Sequence, residues 1–375
     1  MKILFDASVF KNELTGVAKS TKYLYEACHR VDADFTAYGF SDSDLSKYDS
    51  PAIKMLNFSA MTDAALYNWI RENRIEAVHY PNNGKAGKEF LYLKQAVTIH
   101  DVLPLQMPDG FGRVESENLV KRLGKRMMAA HRKWDYRKRL QRDIDTSDLI
   151  FTISDFSRKS IQTYFRVDKE ITVIPWDSAL PDLTDTEFCS KGRRSYILYF
   201  GGYDRRKGIS HLVKAFTKLY QTSLADIDLV LAGKKYSLGP ETDRLINEGV
   251  QAGRMIETGY LADNDLAALI KNAVAVCYLS SFEGFGLPVI ESMKLGCPVI
   301  TTNRTSIPEV GGNAVLYVRP EDTDEVVNTI INLVSDSRLR ENMIRLGMEQ
   351  AKKFSWEKTA DAFLTAIDRM PVKSR

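Results

Sequence analysis

The sequence is poor in several features that would each define a class of protein. Its 375 residues include four cysteines, and no two of them have the close spacing of a zinc or redox motif. No apolar run approaches the ~18 residues of a membrane-spanning helix. The net charge of +3 is too small to indicate a dedicated nucleic-acid-binding protein. Small disulfide- or metal-stabilised modules, membrane-embedded proteins and nucleic-acid partners are therefore disfavoured.

What the sequence does have is the composition of a two-domain globular protein. Hydrophobic residues make up 44% and charged residues 27% of the chain, and the length fits two domains. The first residues, MKILFDAS, form a β-like run without the basic and apolar segments of a secretory signal. We therefore expect a cytoplasmic location.

Short apolar runs alternate with segments of helical periodicity along the chain, a pattern typical of parallel sheets with crossover helices. The strand candidates are Lys2–Phe5, Phe35–Tyr38, Ala77–Tyr80, Val97–His100, Leu149–Ile153, Ile171–Ile174, Tyr196–Phe200, Asp228–Ala232, Val274–Leu279, Val299–Thr301 and Val315–Val318. Periodicity is lost over residues 175–194, which indicates a linker. The sequence thus predicts two α/β domains, 1–185 and 186–355, with a ligand cleft between them. We expect residues 356–375 to form a C-terminal helix that packs back on the first domain.

Two common nucleotide-binding motifs are absent. The pair Gly284 and Gly286 is followed by Val289 where a dinucleotide motif needs a third glycine. The segment Lys19-Ser20-Thr21 ends like a phosphate-binding loop but lacks its glycines. Neither NAD nor ATP chemistry is indicated.

The most informative segment runs from Ser281 to Ile300, directly after a predicted strand. Its glycines and the helix expected from Pro288 would let backbone N–H groups approach a phosphate. Glu283 and Glu291 lie eight positions apart, so they can address opposite ends of one elongated ligand. Carboxylates accept bidentate hydrogen bonds from vicinal hydroxyls, which suits a sugar nucleotide. On spacing alone, ordinary loop and helix-start glutamates explain the pair equally well.

The spacing of Glu283 and Glu291 resembles the E-x7-E signature of retaining glycosyltransferases of family 4. Seven further segments are similar to family motifs in the same order: Leu14–Lys19, Val97–Pro104, Phe151–Ser157, Tyr199–Gly208, Gly259–Leu261, Ser306–Val310 and Phe354–Trp356. The resemblance covers nearly the whole chain and is nearest to bacterial polysaccharide mannosyltransferases. It implies the GT-B fold of two facing Rossmann-like domains, and transfer of a hexose from a nucleotide sugar to a glycan or lipid-linked acceptor.

The resemblance also implies residue roles. Arg206 and Lys207 would hold the donor diphosphate and stabilise the leaving nucleoside diphosphate, where fixed cations lower the barrier. Glu291 would bind the ribose, and Glu283 the transferred hexose. Further donor contacts are implied for Gly16, Gly233, Tyr260, Leu261, Phe285, Gly286 and Leu287. His100 would support the transition state, and Asp101 would orient His100 or reach the acceptor hydroxyl. Each has an ordinary structural alternative, such as a turn glycine or a hydrogen-bonded histidine.

The sequence departs from the family at two positions. Gly202 stands where some members carry another phosphate-binding arginine, and Pro175-Trp176-Asp177 replaces a more usual Pro-Asn-Gly. Three Asp-x-Asp pairs, at positions 32, 42 and 143, lie in polar turns or helix. The family needs no metal, so we expect metal-independent catalysis without a cofactor.

A basic segment spans Lys121–Arg142, in which Asp135 is the only acid and apolar residues are interleaved. A solvated helix face is the ordinary interpretation. The alternative is a surface that attracts anionic lipid headgroups, since many enzymes of this family extend lipid-linked glycans at the cytoplasmic membrane.

Three function classes remain open: a retaining glycosyltransferase, another GT-B enzyme such as a sugar-nucleotide epimerase or a phosphorylase, and an inactive sugar-nucleotide-binding protein. The resemblance favours the first, with GDP-mannose as the preferred donor and UDP-glucose or another UDP-hexose next.

Overall fold

The computed structural model describes residues 1–11, 16–41, 45–57, 61–83, 90, 92–107, 119–181, 194–222 and 227–371, with side chains of the 119–146 helix described from residue 127. The described residues divide into two compact units. The first contains residues up to 107, residues 119–179 and residues from 354 onward. The second contains residues 180–353. The domain boundary predicted at residue 185 lies outside the described residues.

The first unit is built on a parallel sheet. Its strands are β1 (Lys2–Asp6), β2 (Thr36–Ser41), β3 (Ile53–Asn57), β4 (Ala77–Tyr80), β5 (Lys94–Thr98), β6 (Leu149–Thr152) and β7 (Ile171–Val173). Among the described residues their order is β3-β2-β1-β4-β5-β6-β7. The helices are α1 (Gly16–Val31), α2 (Asp63–Glu72), α3 (Leu103–Gln106), α4 (Leu119–Thr146) and α5 (Asp155–Tyr164), with 3-10 helices at Ala7–Lys11 and Ser46–Tyr48.

The second unit repeats this architecture. Its parallel strands are β8 (Tyr196–Phe200), β9 (Asp228–Ala232), β10 (Met255–Gly259), β11 (Ala275–Tyr278), β12 (Val299–Thr301) and β13 (Leu316–Tyr317). Their order is β10-β9-β8-β11-β12-β13 within the described part of the chain. The helices are a 3-10 turn at Arg205–Lys207, α6 (Ile209–Leu219), α7 (Pro240–Gln251), α8 (Asp263–Lys271), α9 (Leu287–Lys294), α10 (Ile307–Gly311), α11 (Thr323–Ser335) and α12 (Ser337–Ala351).

In each sheet the order in which successive strands are added across the sheet reverses at one point. This point lies between β1 and β4 in the first unit and between β8 and β11 in the second. Loops that leave the carboxyl ends of such neighbouring strands diverge and open a crevice for a ligand. The predicted α/β class is confirmed by both sheets.

The last helix, α13 (Trp356–Asp368), belongs to the first unit and packs on α1. Trp356 donates a hydrogen bond from its indole Nε1 to Ser178 O at 2.8 Å and stacks on Tyr23 with ring centroids 5.9 Å apart. Phe363 is fully buried against Phe151 of β6. The helix therefore completes the core of the first unit.

Candidate functional site

The candidate site in the second unit lies at the carboxyl ends of β8 and β11, where the strand order reverses. Asp204 caps the 3-10 turn after β8, and its side chain accepts a hydrogen bond from Arg206 N at 2.9 Å. Ser281 N in turn donates to Arg206 O at 2.8 Å, which ties this turn to the loop after β11. The fold thus places the turn of Arg206 and Lys207 beside the loop that carries Glu283.

Arg206 and Glu283 form an ion pair in which Arg206 Nη1 lies 3.0 Å from Glu283 Oε1. Both side chains are largely enclosed, at 15% and 14% exposed, so water screens the pair weakly. Tyr278 and Ser280 also place their hydroxyl oxygens 2.7 Å from the same Oε1. Neither residue was predicted from the sequence, although polar side chains at the end of the strand Val274–Leu279 were a usable signal.

Lys207 is the second cation of the site. Its ammonium lies 5.7 Å from the centroid of the Tyr278 ring. Burial lowers the pKa of Lys207 below the ordinary value for an amine, while the negative charge of Glu283 opposes that shift. A negative charge bound beside Lys207 would therefore stabilise its protonated form.

The loop that carries Glu283 is held from the other side by the start of α10. Glu283 N donates to Thr305 Oγ1 at 3.0 Å, and Ser306 Oγ donates to the carbonyls of Glu283 and Phe285, both at 2.8 Å. Phe285 is 4% exposed, so its ring is part of the core. Phe285 could therefore contact a ligand only through its backbone. Gly286, at φ +120°, precedes α9, while Leu287 and Glu291 lie half-buried on that helix.

Gly233 follows β9 and lies against the loop after β8. A Cβ atom there would stand 2.0 Å from Gly201 O, and its φ of +142° also favours glycine. Gly233 N donates to Gly259 O at 2.8 Å, which links this point to the end of β10. Tyr260 and Leu261 follow Gly259, and the Tyr260 ring is 55% exposed. Gly233, Tyr260 and Leu261 therefore follow β9 and β10, the two strands that continue the sheet from β8.

Three predicted residues belong to the first unit. Gly16 is the exposed first residue of α1, directly after the undescribed residues 12–15. His100 lies two residues beyond the end of β5, which stops at Thr98 rather than at His100. Asp101 Oδ1 accepts a hydrogen bond from Leu103 N at 2.9 Å at the start of α3, so one oxygen of this carboxylate already supports the local turn.

His100 is held as a neutral imidazole. Its Nε2 donates to Pro81 O at 2.8 Å, because a carbonyl can only accept. Burial lowers the pKa of His100 to about 4, and Nδ1 is buried with no hydrogen-bond partner among the described residues. The ring of Trp176 lies 4.9 Å away, so the departure from the family pattern at Trp176 packs an indole against this histidine. Nδ1 of the neutral His100 ring is therefore a hydrogen-bond acceptor without a partner among the described residues.

In the part of the chain that the structure describes, no three His, Cys, Asp or Glu side chains are arranged to hold a metal ion. Asp32 accepts hydrogen bonds from the N-terminal ammonium and from Asp34 N. Asp143 is buried on α4, and residues 42–44 lie outside the described residues.

Two Rossmann-like units, each with its candidate residues at the strand ends, define the GT-B class of fold. The solved structure of sucrose-phosphate synthase from Thermosynechococcus elongatus superposes with a TM-score of 0.75 at 19% sequence identity, covering 97% of this chain and 98% of that one. At this identity the likeness supports the fold alone.

Sequence comparison adds a likeness to a family. Residues 186–350, nearly all of the second unit, match the family described as Glycosyl transferases group 1. O-antigen chain mannosyltransferase B of Escherichia coli is 36% identical over 235 residues, which cover 59% of this chain and 60% of that protein. MMP alpha-(1->4)-mannosyltransferase of Mycolicibacterium hassiacum is 31% identical over 242 residues, covering 61% and 56%. The matched part therefore spans less than two thirds of these relatives' own lengths.

Proposed function

We propose that this protein is a retaining hexosyltransferase that moves mannose, or else glucose, from a nucleotide sugar to a glycan or lipid-linked acceptor in bacterial surface polysaccharide synthesis. The observation that carries the proposal is the cluster of Arg206, Lys207 and Glu283 at the switch point of the second sheet. The names of the two mannosyltransferase relatives support mannose as the sugar.

The cluster suits the charge changes of glycosyl transfer. The bond between the sugar C1 and a phosphate oxygen breaks, and negative charge accumulates on the leaving nucleoside diphosphate, which Arg206 and Lys207 would stabilise. A bond forms between C1 and the acceptor oxygen, whose proton passes to an oxygen of the departing phosphate. We propose that Glu283 binds the hexose, Glu291 the ribose, and that His100 supports the transition state. We also propose that no metal or cofactor takes part.

The test is turnover of GDP-mannose and of UDP-glucose by the whole chain in EDTA, with release of GDP or UDP measured, and the anomeric configuration of the transferred sugar read by NMR. Lys207→Ala and Glu291→Ala are each expected to lower kcat/KM about 100-fold or more, because they remove charges that meet the donor. Lys214→Ala, which removes an exposed lysine paired with Glu241 on the same unit, is the matched control and should keep full activity.

Other outcomes would contradict the proposal in recognisable ways. Donor binding without turnover would indicate an inactive binding protein. Conversion of the sugar nucleotide into an epimer, or phosphate-dependent release of a sugar phosphate, would indicate the other GT-B activities. A requirement for a divalent cation would contradict only the metal-independent part.

We further propose that the outer face of α4 binds anionic membrane lipid from the cytoplasmic side. Met127, Met128 and Trp134 are 74%, 54% and 59% exposed on this helix. Lys138 lies 5.2 Å from the Trp134 ring. An open surface depression on the same helix is lined by three cations and one acid, together with Trp134 and two polar residues: Arg137, Lys138, Arg142, Asp145, Gln141 and Thr146. Exposed apolar groups among cations favour the interface of an anionic bilayer. Within the described ranges, no helix has the length and apolar character to cross a membrane.

The charge reversal Arg132→Glu/Lys138→Glu tests this surface, since both side chains are exposed on α4. We expect co-sedimentation with vesicles containing 30% phosphatidylglycerol to fall at least about tenfold, at roughly 1 kcal/mol per cation. Lys54→Glu/Arg71→Glu gives the same change of net charge elsewhere on the unit and should bind like the wild type. Binding that is equal to neutral and anionic vesicles, or unaffected by the α4 reversal, would contradict the surface.

A further inference from the structure

The carboxylate of Glu283 is fixed through one of its two oxygens. Oε1 receives Arg206 Nη1 at 3.0 Å, Tyr278 Oη at 2.7 Å and Ser280 Oγ at 2.7 Å. Three donors fill the acceptor capacity of that oxygen. No hydrogen bond to Oε2 occurs within the described residues. Oε2 is therefore the atom through which Glu283 can accept a hydrogen bond from a ligand.

Tyr278 is held by packing on the sheet as well as by its hydrogen bond to Glu283. It is the last residue of β11, its side chain is fully buried, and its ring stacks on Tyr199 with centroids 6.1 Å apart. Burial and the charge of Glu283 raise the pKa of Tyr278 well above its ordinary value, so the hydroxyl stays protonated and donates. The same ring faces Lys207. The hydroxyl of Tyr278 thus donates to the carboxylate of Glu283, and its ring contacts the ammonium of Lys207.

We propose that Tyr278 is a positioning residue for the sugar of the donor: its hydroxyl orients Glu283 so that Oε2 alone accepts one sugar hydroxyl. This inference rests on the proposed function. The sequence predicted that a carboxylate of this pair binds two vicinal hydroxyls through both oxygens. Because Oε1 of Glu283 is already occupied, only Oε2 can accept a hydroxyl, so Glu283 would bind one sugar hydroxyl rather than two. The cation contact of the Tyr278 ring should support diphosphate binding separately.

Tyr278→Phe separates the two contacts, since it removes the hydroxyl and keeps the ring. Calorimetric titration of the whole chain with GDP-mannose and with GDP reads them independently, with UDP-glucose and UDP as the second pair. We expect the affinity of the variant for the nucleotide sugar to fall about tenfold, in the range for a lost hydrogen bond to a charged group. Affinity for the nucleoside diphosphate alone should stay within twofold of the wild type.

Tyr196→Phe is the matched control. Tyr196 is also a buried tyrosine of the second unit, but its hydroxyl donates to Leu269 O at 2.7 Å at the opposite end of the sheet. It should bind both ligands like the wild type. Ser280→Ala, the loss of the other hydroxyl on Oε1, should repeat the selective loss of nucleotide-sugar affinity and serves if Tyr278→Phe does not fold.

A double-mutant cycle tests whether Tyr278 acts through Glu283. In the Glu283→Ala background, Tyr278→Phe should not weaken nucleotide-sugar binding further. Equal losses for sugar nucleotide and diphosphate, no loss at all, or additive effects in the cycle would each overturn the inference. A wild type that binds neither nucleotide sugar would instead contradict the proposed function itself, and the inference with it.

Discussion

Gly208 lies at a close approach between the loops after β8 and β11. It follows the Arg205–Lys207 turn with φ +72°, and a Cβ atom would lie 2.1 Å from Leu279 O. That carbonyl belongs to the backbone just after β11, which cannot move without displacing Tyr278 and the loop of Glu283. Both the backbone conformation and the contact therefore require glycine.

We predict that Gly208→Ala costs of order 2 kcal/mol or more of unfolding free energy and lowers nucleotide-sugar affinity, because relief of the clash separates Lys207 from Glu283. Gly253→Ala is the control: it has φ +66°, but nothing lies within 4 Å of the added carbon. It should cost about 1 kcal/mol and leave affinity unchanged. Urea unfolding and calorimetric titration check both. Equal effects of the two substitutions would show that the contact with Leu279 is unimportant.

At the scale of elements, fully buried strands were predictable, whereas two of the four edge strands of the described sheets were not. Tyr196–Phe200 and Asp228–Ala232 match β8 and β9 because every residue in them is buried, which produces continuous apolar runs. β3 and β10 were missed. They are edge strands in the described sheets, and Lys54 and Glu257 interrupt their apolar pattern on the less buried face.

The sequence named candidate residues for a donor site, but not the contacts among them. Arg206 and Glu283 are separated by 77 residues in sequence, and only the adjacency of β8 and β11 brings them together. The resemblance named both residues, whereas Tyr278 and Ser280 carry no motif of their own. Their role depends on the direction in which a strand end points its side chains, which spacing alone does not specify.

α4 combines two environments that the basic composition concealed. Leu140 and Ile144 are buried in the core of the first unit. Tyr136 donates a hydrogen bond to Asp101 O at 3.2 Å and accepts one from Asn83 Nδ2 at 3.3 Å. The opposite face carries the cations and Trp134. The helix is therefore both a structural support for the loops after β4 and β5 and an exposed basic surface.

For the molecule as a whole, acid sensitivity should concentrate in the first unit, because two histidines are buried there as neutral groups. Both ring nitrogens of His79 are hydrogen-bonded, Nδ1 with Tyr25 Oη at 2.7 Å and Nε2 with Thr98 Oγ1 at 2.8 Å. Burial lowers the pKa of His79 to about 3. Burial lowers the pKa of His100 to about 4. Both groups bind a proton near pH 6.5 in the unfolded chain.

The sign of the effect follows from these values. Between pH 6.5 and the folded pKa, the unfolded state binds more protons than the folded state, so stability falls as the pH falls. The full contribution is present above pH 6.5 and is lost as the pH approaches 4 for His100 and 3 for His79. Between pH 7 and pH 5 we expect a loss of roughly 2 kcal/mol for each histidine.

Hydrogen exchange with mass spectrometry can measure this loss separately in peptides of each unit. In the wild type, peptides from β1, β4 and β6 should lose more protection between pH 7 and pH 5 than peptides from β8 and β11, after correction for intrinsic exchange rates. His79→Gln should lower stability at pH 7, because Gln cannot reproduce both ring hydrogen bonds, yet reduce the loss between the two pH values by about half. An unchanged loss in that variant would show that His79 does not control the acid response, since a group that is absent cannot titrate.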